Sequence, residues 1–178
     1  MALRFAAGLL GAAAAALALC LVVTPAAAES AATAGGDAAD EAGAVILEVT
    51  GGVTGGSQAF TLRRLRSLPV TSVETSTIWT SGIIRFEGVA LADLLAAVEA
   101  RGSRLRAVAL NDYAVEIPID AAGLDGALIA YLADGRPMPV REMGPLWIVF
   151  PYDLSARYRS ELIYSRSIWQ LRRLTVED

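Results

Sequence analysis

The sequence predicts an α+β domain. Three observations lead there: short runs with a strand-like period outnumber helical stretches, the two kinds do not alternate regularly, and 178 residues suit one domain. A doubly wound parallel sheet would need the alternation that is missing.

The elements follow in chain order. Arg4 gives a positive start, residues 5–23 are apolar, and Ala26-Ala27-Ala28 precedes Glu29, so residues 1–28 read as a secretory signal peptide and the mature protein as periplasmic. An uncleaved membrane anchor is the alternative, because the apolar stretch approaches the spanning length of about 17–25 residues. Lipoprotein processing at Cys20 is disfavoured by the large Leu19 before it. Residues 29–43 (ESAATAGGDAADEAG) carry nothing apolar larger than alanine and read as a flexible linker. The folded domain is expected over residues 44–178.

Within it, residues 44–50 (AVILEVT) read as a strand, and the Gly51-Gly52 and Gly55-Gly56 pairs around Val53-Thr54 as the turn signals of a hairpin. Thr61 can N-cap a short helix over 62–68, which Pro69 ends. Residues 70–79 are β-branched and hydroxyl-rich and predict a strand; Thr80-Ser81-Gly82 turns into another over 83–86. Residues 91–100 predict a helix with Leu91, Leu94, Leu95 and Val98 on one face. Strands follow over 105–110, 114–119 and 128–132, then the turn Asp134-Gly135-Arg136-Pro137. A buried strand is expected over 146–150, and an extended segment over 169–176 closes the chain.

Composition excludes much chemistry. The chain has no histidine, so no Ser-His-Asp or Cys-His nucleophile and no His-ligated metal can be built. Its single cysteine, Cys20, lies in the leader, so the mature chain would lack disulfides and thiolates altogether. All 15 basic residues are arginines, set against 19 acids for a net charge of −4, and no basic stripe recommends a nucleic-acid partner.

Four segments hold side chains suited to a site. At a strand period, Val73, Thr75, Thr77 and Trp79 share a face, where hydroxyls and an indole can floor a polar aromatic pocket; the same pattern also suits a half-exposed strand with a core tryptophan. Asn111, Asp112 and Tyr113 offer amide, carboxylate and phenol in one loop, or simply an Asx turn. Arg141 leads into Gly144-Pro145, where glycine permits close approach of a ligand or an ordinary turn. Arg157-Tyr158-Arg159, then Arg166 and Trp169, pair guanidinium groups with aromatics, a combination that grips anionic or heteroaromatic ligands.

From about residue 60 onward, a series of landmarks appears in order: Thr75-x-x-x-Trp79, Phe86-Glu-Gly-Val-Ala-Leu-x-x-Leu-Leu95, Asn111-Asp-Tyr113 with Ile117-Pro118, and Leu128-Ile-Ala-Tyr131 with Asp134-Gly-x-Pro137. Gly144-Pro-Leu-Trp-x-Val-x-Pro151 and Arg166-Ser-x-Trp-Gln-Leu171 complete it. Together they resemble the molybdopterin-binding domain of the sulfite oxidase fold, in its small single-domain bacterial form. The resemblance implies mixed β-sheets with a few short helices. In molybdenum-bearing members a cysteine before the first core helix ligates the metal, and in one branch a tryptophan follows four residues later; here those positions are Thr75 and Trp79. A threonine hydroxyl is a poor ligand for a high-valent metal, and Trp147 stands where sulfite oxidases carry an arginine near the cofactor phosphate.

The pattern is similar to a cysteine-less branch, the PruR-type periplasmic pterin-binding proteins. That likeness implies a non-catalytic module binding a reduced pterin of the tetrahydromonapterin or tetrahydroneopterin type, with no molybdenum. It also implies signalling to the periplasmic domain of a membrane-bound cyclic-dinucleotide enzyme or histidine kinase. The pterin-holding residues it selects are Thr75, Thr77, Trp79, Asn111, Asp112, Tyr113, Arg141, Arg166 and Trp169. The alternatives are an oxidoreductase that keeps molybdopterin without a cysteine ligand, and a purely structural exported domain.

Overall fold

The computed structural model describes residues 43–178. The expected signal peptide and all but the last residue of the expected linker lie outside them. Ten strands form two five-stranded sheets, with four short helices among the described residues, so the α+β expectation with mixed sheets holds.

The first sheet is built from β1 (Val45–Gly51), β2 (Ser57–Thr61), β5 (Arg104–Ala109), β6 (Ala114–Pro118) and β10 (Leu171–Glu177), in the order β2-β1-β10-β5-β6. Only β1 and β10 run parallel, with Glu48 opposite Arg173. The second contains β3 (Val70–Ser76), β4 (Ile83–Ala90), β7 (Leu128–Ala133), β8 (Arg136–Pro137) and β9 (Trp147–Val149), with β8 and β9 both pairing on β7. Leu47, Leu105 and Leu174 from the first sheet and Phe86, Ile129 and Ile148 from the second enter one buried cluster. Each such side chain contributes about 1.5–3 kcal/mol by leaving water.

The helices show which local signals suffice. Thr61 caps α1 (Leu62–Arg66) by accepting the Arg64 N–H at 3.2 Å. In α2 (Leu91–Ala97) the expected apolar face is buried, and the Leu91 N–H, which Ala90 cannot cap, bonds the Ala127 carbonyl at 2.9 Å. Among the strands and α-helices, β8, α3 (Ala121–Leu124) and α4 (Glu161–Arg166) escaped sequence reading. Each spans under two turns or two residues, too little for a periodic stripe to show.

Two helices end earlier than expected, at Arg66 rather than 68 and at Ala97 rather than 100, and three strand boundaries differ by two residues or more. The strand predicted to end at residue 86 continues to Ala90, because Gly88 lets β4 press on β7 at a register shift; a Cβ there would overlap the Ile129 carbonyl. Gly88→Ala is therefore expected to destabilise the fold by about 1–3 kcal/mol, read by urea denaturation. The strand predicted to reach Trp79 stops at Ser76, for reasons given below. The closing strand starts at Leu171 rather than Trp169, since Gln170 adopts φ +53° and breaks the extended run.

Around Gln170 the two sheets are stitched together. Ile148 N–H bonds the Ile168 carbonyl and Leu171 N–H the Leu146 carbonyl, both at 2.9 Å, while Leu110 N–H reaches the Gln170 carbonyl from β5's end. Trp147 and Trp169 form an isolated antiparallel bridge at this seam. No helix among the described residues is long and apolar enough to cross a membrane.

Candidate functional site

At the end of β3, Thr75 is fully buried, and its hydroxyl donates to the Ser76 carbonyl at 3.2 Å and accepts the Asp153 N–H at 3.1 Å. Asp153 returns the contact: its carboxylate accepts the Ser76 N–H at 2.5 Å and the Ser76 hydroxyl at 2.8 Å. The strand thus has its next hydrogen bonds taken by a loop 77 residues away in sequence, and it stops. Those two bonds from Ser76 hold the Asp153 carboxyl below the usual aspartate range. A depressed folded value means a contribution present at neutral pH and lost as pH falls below the ordinary 3.8 and through the lower folded value. Asp153→Asn is expected to lower the melting temperature most at neutral pH and progressively less as pH falls, which flattens the acid limb in a series of thermal melts.

Beyond Ser76 the chain turns. Thr77 Oγ1 accepts the Trp79 N–H at 3.1 Å and lies 2.7 Å from Thr80 Oγ1, so Thr77 builds the turn instead of sharing a strand face with Trp79. The turn delivers Trp79 into an aromatic box. Its ring stands edge to face with Trp147, Tyr164 and Trp169, each at 5.7 Å between centroids, and with Tyr152 at 6.2 Å. Trp147 Nε1–H donates to the Ser167 carbonyl at 3.2 Å, and the Tyr152 hydroxyl to Ser167 Oγ at 2.6 Å. Burial pushes the Tyr152 phenol up to about 12 against the opposing Ser167 bond, so it stays neutral and serves as a donor.

Two cavities flank Trp79. The smaller, of about 340 Å³, has Trp79, Tyr113, Tyr164 and Trp169 as aromatic walls and Asn111, Ser165 and Ser167 as polar groups. Asn111 Oδ1 accepts the Tyr113 N–H at 3.2 Å in an Asx turn, which leaves the amide NH₂ as its donor. The larger, of about 810 Å³, runs past Phe86 and Trp147 to the 134–143 loops. Its rim is charged: Asp134 Oδ1 accepts the Arg85 N–H at 2.9 Å, Arg141 pairs with Glu142 at 3.2 Å, and Arg136 lines it as well.

The residues selected from sequence therefore divide. The smaller chamber brings Trp79, Asn111, Tyr113 and Trp169 together, and Arg141 lies on the larger cleft. Thr75 and Thr77 line neither; they support the turn beneath Trp79. Asp112 lines neither cavity: at φ +64° its carboxylate, 79% exposed, pairs with Arg172. Arg166 also lines neither cavity, and its Nε is buried without a hydrogen-bond partner. Gly144 packs against the Met138 carbonyl, which explains the glycine without a ligand. Arg157 is held by Asp125 at 2.6 Å and by the Tyr158 hydroxyl at 2.7 Å, a tie between loops. Sequence reading missed Tyr164, Ser165 and Ser167; the N-cap signal of Ser160 followed by Glu161 was the available clue to their helix.

Comparison with known proteins adds a family and a fold. The family model described as oxidoreductase molybdopterin binding domain matches residues 39–158. The chain is similar to the crystal structure of the sulfane dehydrogenase SoxCD from Paracoccus pantotrophus, with a TM-score of 0.58 at 20% identity over 74% of this chain. It spans 38% of that chain's length, and the likeness concerns the fold. No curated protein matches. A molybdenum centre, which such a family implies, does not fit the donors present: the Thr75 hydroxyl is sealed and committed, and the described residues hold no cluster of three or more His, Cys, Asp or Glu side chains suited to a metal.

Proposed function

The chain belongs to the oxidoreductase molybdopterin-binding domain family, and on that premise we propose that it binds a simple reduced pterin and performs no chemistry on it. Membership implies a pterin-type cofactor. The smaller chamber carries the finer reading, because about 340 Å³ lies at the low end of the roughly 300–1,000 Å³ usual for ligand sites and suits a bicyclic ring. Tryptophan and tyrosine walls match the flat face of a pterin. The Asn111 amide NH₂ supplies donors to its edge, and the Ser165 hydroxyl, whose proton goes to the Leu162 carbonyl at 2.8 Å, supplies an acceptor; the Ser167 hydroxyl is already engaged by Tyr152 and Ile163.

The reading is non-catalytic because no lining group of that chamber is an acid, a base or an activated nucleophile; its ionisable members are the phenols of Tyr113 and Tyr164. The ligand class is tetrahydromonapterin or tetrahydroneopterin. The protein works in the periplasm and, when loaded, engages the periplasmic domain of a membrane-bound cyclic-dinucleotide enzyme or histidine kinase. This assignment rests on the cysteine-less branch that the sequence resembles. Anaerobic calorimetric titration with tetrahydromonapterin tests the binding step: saturation at micromolar concentration with one site per chain is expected, and the absence of saturable binding would refute it. N-terminal sequencing of secreted protein should begin at Glu29.

A further inference from the structure

The polar groups around the smaller chamber are unequal in kind. Neither a carboxylate nor a guanidinium is among its lining residues. The backbone carbonyls of Ala109, Tyr113, Tyr164, Ser167 and Ile168 each already accept a hydrogen bond within the fold, at 2.9–3.2 Å. Donors are what is left. The Asn111 amide NH₂, the Trp169 Nε1–H and the hydroxyls of Tyr113 and Tyr164 have no acceptor among the described residues. The amide cannot turn over without loss, because its Oδ1 holds the Tyr113 N–H at 3.2 Å and a flip would set NH₂ against that N–H. Its loop is tied in turn to the segment carrying Trp169, since the Leu110 N–H bonds the Gln170 carbonyl at 2.9 Å.

We infer that this chamber reads the oxo groups of its ligand, with Asn111 as the donor that sets the preference, and leaves the 2-amino group of a pterin unread. Its ligand class then extends from pterins to their 2,4-dioxo counterparts, the lumazines. The inference rests on the pterin reading of the smaller chamber. A 2-amino-4-oxo ring presents two adjacent donors, the ring N–H and the amino group, and a carboxylate is the group that receives such a pair in bidentate fashion. The acid nearest in sequence, Asp112, faces Arg172 and lines neither cavity. Ser165 Oγ offers a neutral acceptor, about half as strong as a charged one. An oxo group at the same ring position meets idle donors instead.

The test compares 6-methyltetrahydropterin with 6-methyltetrahydrolumazine, which exchange an amino for an oxo group on one ring, titrated anaerobically into wild type and Asn111→Asp. Wild type should bind the two within about tenfold of each other or favour the lumazine, whereas a carboxylate reading the amino group would favour the pterin by about 10- to 150-fold. Asn111→Asp keeps the Asx turn, because a carboxylate accepts the Tyr113 N–H as the amide does, and it puts an acceptor where the donor was. The variant should shift the affinity ratio toward the pterin by about tenfold. A wild-type preference for the pterin above about tenfold overturns the inference, and so does a folded variant whose ratio does not move toward the pterin. Should Asn111→Asp not fold by circular dichroism, the wild-type comparison decides. Wild type binding neither compound refutes the pterin reading itself, an outcome distinct from any change in the ratio.

Discussion

Trp169→Ala is expected to weaken pterin binding about 5- to 150-fold, the loss of one aromatic stacking surface worth about 1–3 kcal/mol. Trp169 suits this test because it is 38% exposed and walls the smaller chamber, so its removal takes more from the ligand than from the core. Its backbone bridge to Trp147 does not depend on the side chain and survives the substitution. Titration of folded Trp169→Ala beside wild type gives the answer. Unchanged affinity would move the ring out of this chamber. Asp112→Ala serves as the control, since its carboxylate faces Arg172, and its affinity should stay within about twofold of wild type.

Trp147→Ala should have the largest effect on stability, about 3–5 kcal/mol, the range for truncating a buried large aromatic. The ring is 1% exposed and packs edge to face on Phe86 at 5.3 Å and on Trp79 at 5.7 Å. Its loss would also strip the Ser167 carbonyl of a hydrogen bond at the seam between the sheets. Against a typical margin of about 5–15 kcal/mol, the variant should unfold at much lower denaturant than wild type. A midpoint shift smaller than that of Gly88→Ala would contradict the place given to the aromatic box in holding the seam.

Features encoded locally were legible in the sequence. Thr61 as a cap, the Leu91-Leu94-Leu95-Val98 face and the Asp134-Gly135 turn, whose residues both sit at positive φ, each depend on neighbours within a few positions. The site was legible in its parts but not in its assembly. Trp79, Asn111, Tyr113 and Trp169 were each identifiable as ligand-competent, yet nothing local says that they face one chamber. What sets Trp79's orientation is four rings placed 68 to 90 positions later. Long-range partners also act where local pattern is silent: Asp153 ends β3 from a loop 77 residues away, and Arg172 takes the Asp112 carboxylate across 60 residues. Residues 77–79 kept a strand-like composition while the Thr77 hydroxyl, competing with the ladder for the Trp79 N–H, turned the chain away.

The chemistry that the family name suggests and the chemistry these residues support part company at Thr75. A hydroxyl that already accepts from Asp153 and donates to Ser76 has nothing to offer a metal, and the aromatic chamber needs none to hold a pterin. The most direct measurement is the content of protein purified anaerobically from the periplasm of a host that makes molybdenum cofactor, by elemental analysis and by chromatography of the released small molecules. A reduced pterin near one per chain, with molybdenum far below stoichiometry, is the expected result; about one molybdenum per chain, released with molybdopterin, would contradict it.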